Sequence, residues 1–274
     1  MAISMADIQH LRKMTGAGMM DCKNALTEAE GDFDKAIEII RKKGQAFAAK
    51  REDRDASEGC VLAAAQGDFA AIVAVNCETD FVAMNGDFVN MTKSILDAAL
   101  NNKPATIDAL KDIKVGDRTV AELVTDRMGV TGEKMELNVY EQLTAPTVVA
   151  YIHPGNKLAA IVGFNKPNVD EQVAKDVAMQ VAAMNPVALI AEEVSEEIKQ
   201  REMAIAREKA IEAGKPENLL DRIAEGALTK FYKEYTLLQQ EFIKNPKLTV
   251  AQYVSGHDKD LAVVGFKRFT LNAE

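Results

Sequence analysis

The sequence predicts an α+β protein on three observations. Three short amphipathic helices occupy residues 4–44, a hairpin-plus-helix pattern occurs twice in the body, and a charged helical pair interrupts the second copy. At 274 residues, with 47% hydrophobic and 27% charged residues, the chain can hold two or three domains with cores of their own.

The helices at the N-terminus follow from their stop and start residues. Ser4 with Asp7 makes a capping box ahead of Met5, Ile8 and Leu11, and Gly31 follows the second helix. Asp32 caps a third helix, whose Ile37 and Ile40 face inward and which Gly44 is expected to end. Residues 50–55, KREDRD, carry mixed charge without an apolar period and read as a solvated helical linker.

The body is duplicated. Residues 61–76 read VLAAAQGDFAAIVAVN and residues 148–165 read VVAYIHPGNKLAAIVGFN, so AAIVAVN recurs as AAIVGFN 89 positions later. Each has two apolar runs around a Gly-containing turn, which is a β-hairpin signal, and a long amphipathic helix follows. Phe88, Met91, Ile95 and Ala99 give the first helix its inner stripe, and Val173, Val177, Val181 and Met184 the second. The second hairpin is longer at its tip, where it carries His153-Pro154-Gly155-Asn156; a His there reads first as a polar turn residue.

Between the first hairpin and its helix lies Asn76-Cys77-Glu78-Thr79-Asp80-Phe81-Val82. The strand ends at Asn76, Thr79 or Asp80 can cap a helical turn, and Asn85-Gly86 stops that turn before a longer helix begins near Asp87. A Phe at the start of a lone turn either packs back on its domain, as most large aromatics do, or projects as a probe with the neighbouring acid.

Residues 187–229 read as a helical hairpin inserted in the second copy. Its first helix has a thin apolar stripe of Val194, Ile198 and Ile205; the second, after Ala213-Gly214-Lys215-Pro216, shows Leu220, Ile223, Ala227 and Phe231. Such an arm either leans on another chain or stands as a solvated pair. Residues 247–254 are expected as a last helix and residues 261–266 as the closing strand.

Net charge −9 and a pI near 5.1 argue against a sequence-independent grip on nucleic acid, which needs clustered Lys and Arg. A protein partner is expected instead. With no apolar run near the ~18 residues that span a bilayer and no signal-peptide pattern, a cytoplasmic location is expected. Cys22, Cys60 and Cys77 lack C-x-x-C spacing, so neither a disulfide framework nor a zinc site is indicated. The G-x-G at Gly16 and Gly18 follows a helix and lacks the third glycine of a dinucleotide fingerprint. Met19 and Met20 at a helix start instead suit a surface that docks on another protein. His10, His153 and His257 have no ligand spacing, and a Cys77–His153 pair would need a third orienting group; no enzyme chemistry and no cofactor are expected.

Five segments carry a resemblance: Leu11-Arg12 with TGAGMMDCK at 15–23, AAKR at 48–51, NCETDFVA at 76–83, HPGNKLAAIV at 153–162 and KP at 215–216. They resemble the elongation factor Ts family of bacteria and organelles, in order over nearly the whole chain. The resemblance implies a guanine-nucleotide exchange factor that binds elongation factor Tu carrying GDP, promotes GDP release by displacing magnesium, and lets GTP bind. It implies a ubiquitin-associated-like helical domain with linker over 1–55, a core subdomain over 56–144, and a second over 145–274 with a dimerisation module inserted at about 187–229. By the same resemblance Thr79, Asp80, Phe81 and Val82 enter the partner beside its magnesium site, and Arg12, Met19, Met20 and Lys23 dock the N-terminal helices. His153, Met128, Gly129 and Ile243 match core contacts. Two departures are visible: Met84 stands where relatives commonly have Lys, and the sequence ends at Glu274, where some members continue into a C-terminal helix, so contact by that helix is expected to be missing.

Overall fold

The computed structural model of the chain describes residues 3–51 and 53–272. Its first helices are set by local chemistry. In α1 (Met5–Thr15), the Asp7 N–H donates to Ser4 Oγ while the Ser4 N–H donates to the Asp7 carboxylate, and Gly16 closes the helix in the left-handed region. After α2 (Met19–Glu28), Asp32 caps α3 (Phe33–Ala49), and Leu11, Cys22, Leu26 and Ala36 meet in a small core that Ile37 and Ile40 half cover.

Gly44 does not end α3. The helix runs on to Ala49, because Gly44 is a buried crossing point: α3 lies across α7 (Val120–Thr131) so closely that a Cβ on Gly129 would sit 2.9 Å from Gly44 Cα. Tertiary packing thus overrides the usual use of Gly as a helix stop. The stretch after it is not the expected helix either; residues 50, 51, 53 and 54 form turns and a bend, and residue 52 lies outside the described residues.

The duplication builds two three-stranded antiparallel sheets. One holds β1 (Glu58–Gln66), β2 (Phe69–Cys77) and β5 (Met135–Thr144) in the order β1-β2-β5. The other holds β6 (Thr147–Ile152), β7 (Leu158–Phe164) and β10 (Val263–Thr270) in the matching order β6-β7-β10. The sheets pack face to face through Val61, Ile72, Ala74, Val148, Ala159 and Ile161. Alternate residues point the other way: Val73 and Val75 join Phe88 and Ile95 of α5 (Gly86–Asn102), and Val162 and Phe164 join Val177 and Val181 of α8 (Glu171–Met184). The layers are therefore helix, sheet, sheet, helix. At the foot of its stripe Met184 is exposed, contrary to expectation, since α8 ends there.

A further repeat appears once the strands are matched. A short hairpin, β3 (Lys114–Val115) with β4 (Arg118–Thr119), leads into α7 and then β5; β8 (Glu241–Phe242) with β9 (Asn245–Thr249) leads into α11 (Val250–His257) and then β10. Both helices open on a capping box, Thr119 with Glu122 and Thr249 with Gln252, in TVAELV and TVAQYV. Residues 247–249 are accordingly strand and not helix, and the closing strand starts at Val263, because the Asn165 side chain ties down the Asp260 carbonyl and the Ala262 N–H. The remaining elements are α4 (Asp80–Ala83), α6 (Ile107–Lys111) and the arm, α9 (Glu196–Glu212) with α10 (Glu217–Tyr235). The arm is longer than the sequence suggested: it closes where the Val187 N–H donates to the Tyr235 carbonyl and Ala188 bridges Thr236.

Candidate functional site

The end of β2 is fastened before the chain leaves the sheet. The Glu78 carboxylate accepts the Lys134 N–H at 2.7 Å, the Arg51 guanidinium at 3.0 Å and that of Arg54 at 2.9 Å. Burial pushes its pKa up, but these donors outweigh burial and hold it well below the usual range, at about 2. Thr79 is tied to a different acid, its hydroxyl donating to Glu133 at 2.6 Å and its N–H at 3.1 Å. The same hydroxyl oxygen accepts the Val82 N–H at 3.4 Å, so Thr79, not Asp80, is the cap of α4. Cys77 Sγ donates to the Thr79 carbonyl at 3.2 Å. Burial, reinforced by Glu133, pushes that thiol up to about 12, which removes the thiolate a nucleophile would need.

On α4 the helical period decides what each side chain meets. Val82 and Ala83 lie against the body, Val82 half-buried and Ala83 buried. Phe81 and Met84, three positions apart and so on one face, are forced to the opposite side. Phe81 is 81% exposed and Met84 69%. Of the two readings open from sequence, the projecting ring is the one the fold adopts.

Beside this turn runs an open cleft of about 720 Å³, lined by Asp80 and Met84 on one side, Tyr151, His153 and Lys157 on another, and Ile243. The long tip of the second hairpin forms its wall. The His153 N–H donates to the Leu158 carbonyl at 2.8 Å, and Gly155 and Asn156 take positive φ to turn the chain. The Val61 N–H donates to the Asn156 carbonyl at 2.7 Å, which pins this tip onto β1. Tyr151 Oη lies 3.1 Å from His153 Nδ1. Lys157 pairs with Glu58 at 2.9 Å, its pKa raised first by Glu58 with Asp80 adding to the same effect, and Asp80 lines the same cleft. Ile243 is 37% exposed on the β8–β9 turn, where its N–H donates to the buried amide of Gln180 at 2.9 Å.

The structure thus gathers Asp80, His153 and Ile243 around one cleft, while Phe81, next to Asp80 in α4, projects into solvent. The other expected residues lie elsewhere. Met20 is 64% exposed on the first turn of α2, Arg12 and Lys23 are exposed on α1 and α2, and Met19 is half spent on the N-terminal core. Met128 packs against the core beneath α7, and one face of Gly129 is taken by Gly44, leaving the rest exposed. Sequence reasoning missed Glu133, Arg51, Arg54 and Gln180. Each is a polar residue whose partner lies 24 or more positions away, and no local pattern signals such a pairing. Among the described residues no group of three or more His, Cys, Asp or Glu is arranged to hold a metal ion, and no helix is long and apolar enough to cross a membrane.

A family profile described as "Elongation factor TS" matches residues 78–273, well over half of the chain. The chain belongs to the elongation factor Ts family. Relatives of that name extend the match to full length: one from Porphyromonas gingivalis is 61% identical over 275 residues, all of both chains, and one from Azobacteroides pseudotrichonymphae is 59% identical over 274, again all of both. A more divergent elongation factor Ts from Bacteroides thetaiotaomicron is 49% identical over 331 aligned residues that cover both chains. The profile match begins at Glu78 and covers the turn with Phe81, the arm, and Asp80, Met84, Tyr151, His153, Lys157 and Ile243 of the cleft, while Arg51 and Arg54 precede it. The chain is thereby an elongation-factor homologue, built from an α+β body and N-terminal helices.

Proposed function

We propose that the chain binds elongation factor Tu in its GDP-bound form and speeds release of GDP, with Phe81 and Asp80 wedged beside the partner's magnesium site. The observation that carries this is Phe81: a large ring held in water by a turn whose other face is anchored to the body. Burying it in a second protein contributes roughly 1.5–3 kcal/mol. Magnesium in a nucleotide site needs near-ideal octahedral geometry at ~2.0–2.1 Å, so a small shift of one supporting element weakens its hold. Thr79 and Val82 set the turn; Arg12, Met19, Met20 and Lys23 dock the N-terminal helices; His153, Met128, Gly129 and Ile243 add core contacts. Coupling between binding sites is reciprocal, so a factor that weakens GDP binding is itself displaced when nucleotide returns. No covalent bond forms or breaks in this scheme, no nucleic acid or membrane takes part, and the working compartment is the cytoplasm.

Stopped-flow release of fluorescent GDP from elongation factor Tu tests the reading. Acceleration by the wild-type chain and its loss in Phe81→Ala support it; an unchanged release rate with the wild-type chain defeats it, and full activity in Phe81→Ala defeats the wedge. The arm carries a second element of the reading, self-association, supported by exposed Ile205, Ile211 and Leu219 along its helices. Ile211→Lys with Leu219→Lys is expected to reduce the sedimentation coefficient to that of a monomer; an already monomeric wild type removes this element.

A further inference from the structure

Nothing in the wedge mechanism says why a four-residue helix should hold its shape. Isolated helices this short do not persist in water, since nucleation is unfavourable until several turns have formed. α4 buries only Ala83 fully, and its far side is Phe81 and Met84 in solvent. Its fixed geometry must come from its cap. Thr79 is held by both carboxylate oxygens of Glu133, one on its hydroxyl at 2.6 Å and one on its N–H at 3.1 Å. Hydrogen bonds to an ionised acceptor are about twice as strong as neutral ones, and a two-point hold fixes orientation as well as distance.

Glu133 is itself placed by a stiff element. It follows Gly132, the left-handed cap of α7, and its N–H donates to Thr131 Oγ1 at 3.3 Å. The next residue, Lys134, donates its N–H to Glu78 and its ammonium to the Arg54 carbonyl at 3.0 Å. One junction between α7 and β5 therefore grips the strand end on both sides of the Glu78–Thr79 peptide. The same α7 seats α3 through Gly44 and Gly129.

We infer that Glu133 is a positioning residue for exchange: it presets the α4 turn so that Phe81 meets the partner already aimed, and binding energy is not spent on ordering the turn. This rests on the wedge reading above. Removing the hold lets α4 fray while the body, which buries none of its core there beyond Ala83 and Val82, stays folded. Geometry matters steeply in such steps, a displacement of ~1 Å being able to cost ~10²-fold in rate.

The test compares wild type, Glu133→Ala, Glu133→Gln and Phe81→Ala in GDP release from elongation factor Tu over a range of factor concentrations, with amide hydrogen exchange on the free proteins. Glu133→Ala is expected to lower the saturating release rate about tenfold while the half-saturating concentration changes less than about threefold. Faster amide exchange at Thr79 and Val82 and an unchanged melting temperature should accompany that loss. Glu133→Gln, which keeps one acceptor oxygen, is expected between it and wild type. A full saturating rate in Glu133→Ala, or a loss matched by a lower melting temperature without faster exchange at Thr79, overturns the inference. If Phe81→Ala also keeps full activity, it is the wedge that fails; if only Glu133→Ala does, the wedge stands and Glu133 is merely structural.

Discussion

The two copies in the body share strand order, sheet position and helix placement, yet differ in their connections. From the last position of the AAIVAVN/AAIVGFN repeat to the cap of the long helix, the first copy runs from Asn76 to Asn85 and the second from Asn165 to Asp170. The difference is four residues, the length of α4. The second copy has its extra length at the hairpin tip, where His153 stands. Both additions open onto the same cleft. A duplicated scaffold has thus been elaborated at two different junctions so that the novelties converge, while the strands between them stay under packing constraint.

The sharpest way to break this contrast is to delete a ring from each class of position. Phe164, fully buried on β7, is expected to cost about 3–5 kcal/mol of unfolding free energy when replaced by Ala, measured by chemical denaturation. Phe81→Ala should stay within about 0.5 kcal/mol of wild type in the same experiment while exchange activity falls by at least about tenfold. Equal stability losses at the two positions would contradict a division between scaffold and addition.

A second difference is the length of the matched helices. α7 has 12 residues and α11 only 8, and the extra turn of α7 carries Gly129. Gly129→Ala places a methyl against the Gly44 backbone, and calorimetry is expected to show about 1–3 kcal/mol of destabilisation confined to the N-terminal helices and α7. A substitution without effect would mean that the close crossing is not needed to seat α3.

The smallest expected effect concerns acid. The first copy holds Glu78 next to α4, while the corresponding stretch of the second, residues 165–169, has no acid. The folded-state pKa of Glu78 is depressed to about 2 from an ordinary 4.5. Its contribution is therefore complete above pH 4.5 and is lost as pH falls towards 2. Glu78→Gln is expected to flatten the stability profile in that window by about 1–2 kcal/mol, the exposed Arg54 being screened by solvent. An identical profile would show that the pairing with Arg51, Arg54 and Lys134 contributes nothing.

Much of this body was legible because duplication and capping are local signals. AAIVAVN and AAIVGFN gave the paired hairpins, and Ser4 and Asp32 announced helix starts that the fold uses, whereas Asn85-Gly86, which reads as a stop, is the cap and first residue of α5. The TVAELV and TVAQYV repeat is hard to see because the arm separates its halves by more than the hairpins are separated; it places the cap of α11 at Thr249, beyond Lys247. Gly44 misled because a glycine that ends a helix and one that lets two helices touch look the same in one dimension. Phe81 could be narrowed to two states but not decided, since exposure depends on which face of α4 finds apolar neighbours. Glu133 gave no signal at all: in Gly132-Glu133-Lys134 it looks like any charged loop residue.

The bond from Cys77 to the Thr79 carbonyl ties a buried sulfur to the base of the projecting turn. In the closed form that sulfur is protonated and out of reach, so an alkylating reagent can mark it only during moments when the strand end lets go. With Cys22 and Cys60 replaced by Ala, the speed of single-site labelling would clock how often the tip comes loose.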